Sequence, residues 1–322
     1  MTKRALVTSA AALLIATTVT ACSSAAGGSD DDTLTIVASF YPLQFVTEQI
    51  VGDRAEVTSL VDPGVEPHDV ELSASQVAAI VDADLVVYLH GFQPAVDQAV
   101  EQREDSGAIF DVAEVEPLLD ASAEEEHGSA GEEAHEEEAH EHGATDPHVW
   151  LDPLRYANIA DAVAEHLQEI DQEHAEEYAD NAAQLRTELE ALDAEYTDGL
   201  ATCERREIFV SHAAFGYLTT RYDLEQIALS GLSPDQEPTP QRLAEVAALA
   251  EEHGATVIFF ETLVSPEIAQ TLAEEIGARV EVLDPIEGLN PDSADQSSTE
   301  APDYFSVMRS NLSALRDALG CA

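Results

Sequence analysis

The chain has 322 residues and a formal net charge of −52 at pH 7, with 65 acidic side chains against 13 lysines and arginines. That imbalance excludes nucleic acid as a partner, because phosphate backbones demand clustered cations, and it favours cationic partners. The length suffices for two domains with separate cores.

Lys3, the only lysine, and Arg4 make a short basic start, and Ala5 to Thr20 is apolar and small. Val19-Thr20-Ala21-Cys22 is a small-residue cleavage site ending in a cysteine. The pattern predicts a lipoprotein signal over residues 1–21, with Cys22 carrying the lipid outside the membrane. An ordinary secretory signal with an incidental cysteine is the plainer alternative. The apolar stretch is too short and too rich in alanine and threonine for a membrane span, and no later segment qualifies. Residues 22–32, rich in Ser, Gly and Asp, read as a flexible tether.

Thr33 to Ser39 has a buried-strand pattern, and Phe40 to Val51 reads as a helix ending at Gly52. Val57–Val61 is a second strand, followed by a helix over Ser73–Asp82 with Ser73 and Ser75 as cap candidates. Asp84–Leu89 is a third strand, Phe92–Glu104 a helix and Ala108–Phe110 a short strand. Strands alternating with helices predict an α/β fold with a parallel sheet covered on both faces. Asp120 to Asp146 breaks the pattern: it is Glu, His, Ala and Gly, including His127, His135, His140 and His142. Such a segment cannot bury enough apolar surface to order itself and reads as a loop.

Asp152-Pro153 supplies an N-cap and a first-turn proline. Ile159, Val163, Leu167 and Ile170 then recur at helical spacing. A second helix runs from about Glu173 to Leu200, with Tyr178, Leu185, Leu189, Leu192 and Tyr196 on its apolar stripe and no Gly or Pro before Gly199. Helices this long often bridge domains. The second half repeats the style of the first: strands at Glu207–Val210, Glu225–Ala228, Val257–Phe260 and Val280–Leu283, and helices at Ala214–Tyr222, Pro240–His253, Pro266–Ile276 and Asp303–Leu319. The layout loop, helix, buried strand occurs in both EPHDVELSASQVAAIVDADLVVYL and EPTPQRLAEVAALAEEHGATVIFFE. Two similar lobes are expected, over 33–151 (including the acidic loop 120–146) and 201–322, with a helical region at 152–200. Cys203 and Cys321 are left over in an oxidising compartment, and a disulfide pinning the last helix is expected.

In open parallel sheets, ligands bind beyond the carboxyl ends of the strands. His68 lies in the loop after Val57–Val61, and His212 just after Glu207–Val210. Glu261 follows Val257–Phe260, and Asp284 follows Val280–Leu283. His148 sits between the acidic loop and the Asp152 cap. Three neutral imidazoles and a carboxylate suit a borderline metal, zinc before manganese, whereas calcium or magnesium would want more oxygens. Each imidazole needs an acceptor at its second nitrogen, and Asp69, Asp146 and Asp152 are candidates. His166, His174 and His253 are expected on exposed polar helix faces. His90 follows a strand end and could approach the cleft. Phe40, Tyr41, Trp150, Phe215 and Tyr217 flank the site motifs as packing.

After a signal and a tether, the segments EPHDVELS, DPHVWLDP, SHAAFGY, EPTP, FFE and LDPIEGL appear in this order. The combination resembles the zinc-uptake solute-binding lipoproteins of the metal cluster of ABC importers, over essentially the whole mature chain. The resemblance implies two α/β lobes joined by one long bridging helix, with the metal site in the interlobe cleft. It also implies Zn2+ as cargo, delivered to a membrane permease with its ATPase. Its motifs carry three ligands onto His68, His148 and His212, and a histidine at 212, where manganese binders commonly have glutamate, favours zinc. Asp284 best matches the family's acidic ligand, with Glu261 as second choice or neighbour, and water as a further way to complete the shell. The acidic loop stands where zinc members often carry one. Its four histidines would offer weak, exchangeable sites, the plainer reading being a solvated low-complexity insert. A lipid-anchored monomer is expected.

Three rivals follow from the same residues. A manganese or iron carrier of the same class is opposed by the three histidines, although zinc binds almost any such site. A zinc hydrolase could use Glu261 as base, but neither H-E-x-x-H nor G-x-S-x-G is present. An adhesin would need an interaction surface that no repeat or recognition module indicates. The chain is therefore expected not to be an enzyme.

Overall fold

Short apolar strands set the architecture. The structure, a computed structural model, describes residues 33–103, 108–120, 145–290 and 301–322. Cys22, His127, His135, His140 and His142 lie outside the described residues, as does most of the acidic loop. Leu34–Ala38 (β1) pairs in parallel with Ala55–Ser59 (β2) and with Leu85–Tyr88 (β3), and β3 pairs with Ile109–Asp111 (β4). The resulting four-stranded sheet has the order β2-β1-β3-β4. Every residue of β3 is buried, as a parallel strand covered on both faces requires.

The helices begin and end where local chemistry directs. Tyr41–Val51 (α1) stops at Gly52, whose φ of 53° suits a residue without Cβ. Ala74–Asp82 (α2) opens with a capping box in which the Ser73 hydroxyl accepts from Gln76 N–H and Gln76 reaches back to Ser73 N–H. Ser75 only bonds the Ser73 hydroxyl. Pro94–Val100 (α3) is shorter than the expected Phe92–Glu104, because Pro94 takes the first turn and leaves Phe92 outside. Val112–Val115 (α4) follows β4, and Leu119–Asp120 (β5) pairs antiparallel with Thr145–Asp146 (β6).

Asp152 caps Pro153–Ile170 (α5) by accepting from Leu154 and Arg155 N–H. The next helix, Ala175–Leu200 (α6), has 26 residues, so it is about 39 Å long. It packs along α5 and touches α1 of the first half. It also touches Gly216–Tyr222 (α7) and Tyr304–Leu319 (α10) of the second half. α6 therefore contacts elements of both halves.

In the second half Glu207–Val210 (β7) pairs in parallel with Glu225–Ala228 (β8), and Val257–Phe260 (β9) with Arg279–Val282 (β10). These are two separate two-stranded sheets, and β7 lies against β9, so the strands follow one another in the order β8-β7-β9-β10. Pro240–Glu252 (α8) and Glu267–Ile276 (α9) complete this half. Each half has a smaller apolar cluster of its own, and one large apolar cluster runs through both halves. Buried tyrosines tie it together: the Tyr156 hydroxyl donates to Pro42 C=O, Tyr196 to Met308 C=O and Tyr304 to Trp150 C=O.

Cys203, just past α6, is bonded to Cys321 at the end of α10. The two are 118 residues apart, so the bond removes much of the unfolded chain's freedom. Replacing both cysteines by serine should lower the unfolding free energy by about 2–4 kcal/mol. A urea midpoint equal to that of the parent chain would mean the bond contributes nothing to stability.

Candidate metal centre

The loops beyond the strand ends meet at one buried point. His68 is on the loop after β2, His212 two residues past β7, and Glu287 on the loop after β10. His148 precedes the short 3-10 turn Val149–Leu151. The Nε2 atoms of His68, His148 and His212 lie 3.3, 3.0 and 3.1 Å from Glu287 Oε1. The Nε2 atoms of His148 and His212 are 3.4 Å apart. In a tetrahedral shell with bonds of about 2.0–2.1 Å, ligand atoms stand roughly 3.3–3.4 Å apart, so these spacings fit a zinc-sized ion. His148 and His212 are fully buried, Glu287 is 1 % exposed and His68 8 %.

The far nitrogens of His148 and His212 are fixed as well. His148 Nδ1 donates to Asp146 Oδ1 at 2.7 Å, and His212 Nδ1 to Glu261 Oε1 at 2.5 Å. The Ser211 hydroxyl also donates to Glu261 Oε1. An imidazole that donates from Nδ1 to a carboxylate keeps the Nε2 lone pair free for a metal and gains basicity. His68 has its ring edge on Phe92, with centroids 4.6 Å apart, and its backbone N–H donates to Glu66. Trp150 lies beside the His148 ring and donates its indole N–H to Pro285 C=O at 2.7 Å, joining the His148 segment to the Glu287 loop.

The electrostatics are those of a site short of positive charge. Burial opposes ionisation of Glu287, yet the His212 charge and hydrogen bonds from the three imidazoles hold its carboxyl well below the usual range. Burial pulls His212 down, but Glu261 and Glu287 outweigh it and lift the imidazole well above its ordinary value. For His148 burial is likewise overcome, chiefly by Asp146. Burial and the neighbouring Glu287 push Glu66 up to about 8. Without a metal, the site binds protons in its place.

Asp284 and Glu261 take places outside the histidine group, Glu261 as a neighbour of it. Asp284 does not join the cluster: its carboxylate accepts from the Thr262 hydroxyl and from Ile286 N–H. Glu261 stands behind His212 and reaches the centre only through that ring. The oxygen that meets the histidines belongs to Glu287, three residues beyond Asp284 in LDPIEGL, which the strand-end rule passed over. Pro285 and a left-handed Ile286 (φ 59°) turn the chain between them. His90 is exposed, pairs with Asp97 and stays outside the cluster. His174 and His253 are half-buried, against Asp171 and Glu207, and His166 is half-buried against Phe110. Tyr217 is more than packing, since its hydroxyl donates to Asp146 C=O and accepts from Leu119 N–H.

Residues 36–318 match the family described as zinc-uptake complex component A, periplasmic. The chain is 37 % identical over 287 residues to the high-affinity zinc uptake system protein ZnuA of Bacillus subtilis, covering 89 % of this chain and 88 % of that protein. It is 37 % identical over 284 residues to the zinc-binding lipoprotein AdcA of Streptococcus pneumoniae, covering 88 % of this chain. It spans only 55 % of the length of AdcA. Among solved structures, the Zn(II)-bound ZnuA-like domain of Streptococcus pneumoniae AdcA aligns with a TM-score of 0.69 at 33 % identity, over 89 % of this chain and 99 % of that one. The laminin-binding protein Lmb of Streptococcus agalactiae, described as having adhesin and metal-transporting activity, aligns with a TM-score of 0.74 at 29 % identity, again over 89 % and 99 %.

If Asp146 and Glu261 orient the two buried imidazoles, Asp146→Asn and Glu261→Gln should each weaken divalent-metal binding by about 10–100-fold without abolishing it. Competition against a chromophoric chelator measures this. Unchanged affinity in both variants would remove the orienting role.

Proposed function

Because the chain belongs to the zinc-uptake complex component A family, we propose that it is the extracytoplasmic solute-binding component of a zinc ABC importer. His68, His148, His212 and Glu287 are its ligands for Zn2+, held between lobes at about 33–151 and 201–322 and passed to the permease that works with its ATPase. The observation that carries the reading is the convergence of three Nε2 atoms on one carboxylate oxygen, 3.0–3.3 Å from each, in a buried group. Lipid on Cys22 would hold the protein, as a monomer, beside its permease.

The rivals fit the geometry less well. Manganese and calcium prefer more oxygens than this nitrogen-rich, four-atom set offers. A hydrolytic zinc keeps an open position for water, whereas here four protein atoms converge, enough to occupy a four-coordinate shell. Glu261 is engaged by His212 and Ser211 and is not free to act as a base. The reading therefore includes no catalytic turnover.

Competitive zinc titration of the metal-stripped mature chain, with manganese as competitor, tests this. One tight zinc site is expected, lost in His212→Ala and kept in a variant lacking residues 121–144. Tight binding that survives His212→Ala but disappears with residues 121–144 would overturn the cleft assignment.

Proton competition gives a second test. Zinc needs the Nε2 lone pairs, and His148 and His212 hold protons to higher pH than an ordinary imidazole. Zinc affinity should therefore begin to fall above about pH 6.5 as the solution is acidified, by up to roughly tenfold per pH unit for each proton displaced. The same titration repeated from pH 8 to pH 6 measures the slope, and a flat profile is incompatible with histidine ligation.

A further inference from the structure

The loop that presents Glu287 contains a backbone conformation its own sequence disfavours. Ile286 has φ 59°, a left-handed region that β-branched residues avoid. Among the described residues the one other non-glycine with positive φ is Asp223, which simply ends a helix. Ile286 has no such role, is fully buried, and immediately precedes the carboxylate that faces the three histidines.

The contacts around Asp284 account for how the turn is held. One carboxylate oxygen accepts from Ile286 N–H at 2.8 Å and the other from the Thr262 hydroxyl at 2.7 Å. Asn311 grips the Asp284 backbone from both sides, accepting from its N–H at 2.9 Å and donating to its C=O at 2.7 Å. Asp284 is 7 % exposed and contributes no atom to the metal-facing group. A buried carboxylate is costly to keep unless its hydrogen bonds do something an apolar residue could not. Here they define a turn.

We propose that Asp284 is a positioning residue for zinc: by accepting the Ile286 N–H it holds the left-handed turn that aims Glu287 at His68, His148 and His212. The proposal rests on the reading of Glu287 as a ligand. Without that acceptor, Ile286 relaxes toward an ordinary backbone region, Glu287 swings away, and the ion keeps three imidazoles with water in place of the carboxylate.

The test uses the metal-stripped mature chain with Co2+ as a spectroscopic probe, zinc competition for affinity and urea midpoints for stability. Asp284→Ala should weaken zinc binding by about 10–100-fold. It should also shift the visible Co2+ bands toward those of Glu287→Gln. Asp284→Asn retains an oxygen for Ile286 N–H and can donate its amide to the Thr262 hydroxyl, so it should rescue both spectrum and affinity. A purely structural loss would lower the urea midpoint without that spectral shift. If Asp284→Ala is too unstable to read, Thr262→Val should move spectrum and affinity in the same direction by less. Parent-like spectra and affinity in the readable variant, or an Asp284→Asn protein as damaged as Asp284→Ala, would overturn the proposal. Glu287→Gln behaving like the parent would instead remove the ligand assignment beneath it.

Discussion

A carboxylate enclosed with three imidazoles is the constraint around which this molecule is arranged. Glu287 is almost fully buried, and its Oε1 lies within hydrogen-bonding distance of three Nε2 atoms. Taking such a charge out of water is unfavourable unless positive charge accompanies it. Protons on the histidines can supply that charge, which is why His148 and His212 are lifted and Glu287 is lowered. A dication supplies it better, because one ion meets all four atoms at once. The same contacts that make the metal-free site basic thus suit it to a dication.

The fold meets this constraint by bringing separate loops to one edge. Within each sheet the paired strands run parallel, and the loops beyond the carboxyl ends of β2, β7 and β10 bring His68, His212 and Glu287 together. The loops are then joined directly: Gly64 N–H donates to Leu289 C=O, linking the His68 and Glu287 loops, and Trp150 links the His148 segment to Pro285. With φ 84° at Gly64, the His68 loop uses a conformation that a residue without Cβ adopts freely. The long α6, the shared core and the Cys203–Cys321 bond hold the supporting elements in register.

Much of this was legible in the residues. β7, β8 and β9 have their expected limits, β9 as an unbroken apolar run and β8 although half of it is polar. Gly52, Ser73, Asp152 and Asp303 mark helix ends through chemistry that needs no tertiary context. β2 begins two residues earlier than its apolar pattern suggested, because Leu60 and Val61 are buried beyond the strand rather than within it. His68, His148 and His212 were accessible from strand-end placement and motif together. Glu287 was not, because the residue that redirects the chain is an isoleucine with positive φ, where a glycine would have announced the turn. Nor could spacing reveal that Glu261 serves His212, a pairing across 49 residues.

The large acidic excess and the site act at different ranges. At physiological salt, charges farther apart than about 8 Å are largely screened. The net charge of −52 therefore raises the cation concentration near the surface without choosing among cations. Choice falls to the four buried atoms, and there the donor types decide. Three nitrogens and one oxygen gathered in a buried group suit a borderline ion with no geometric preference of its own. Counting only Asp146, Glu261 and Glu287 as ionised and the three imidazoles as neutral, the enclosed group carries three negative charges, and a bound dication leaves one. A monovalent cation would leave two and could not draw on the imidazole lone pairs as strongly. Selectivity thus follows from which lone pairs are aimed inward, and the carboxylates on His148 and His212 direct that aim.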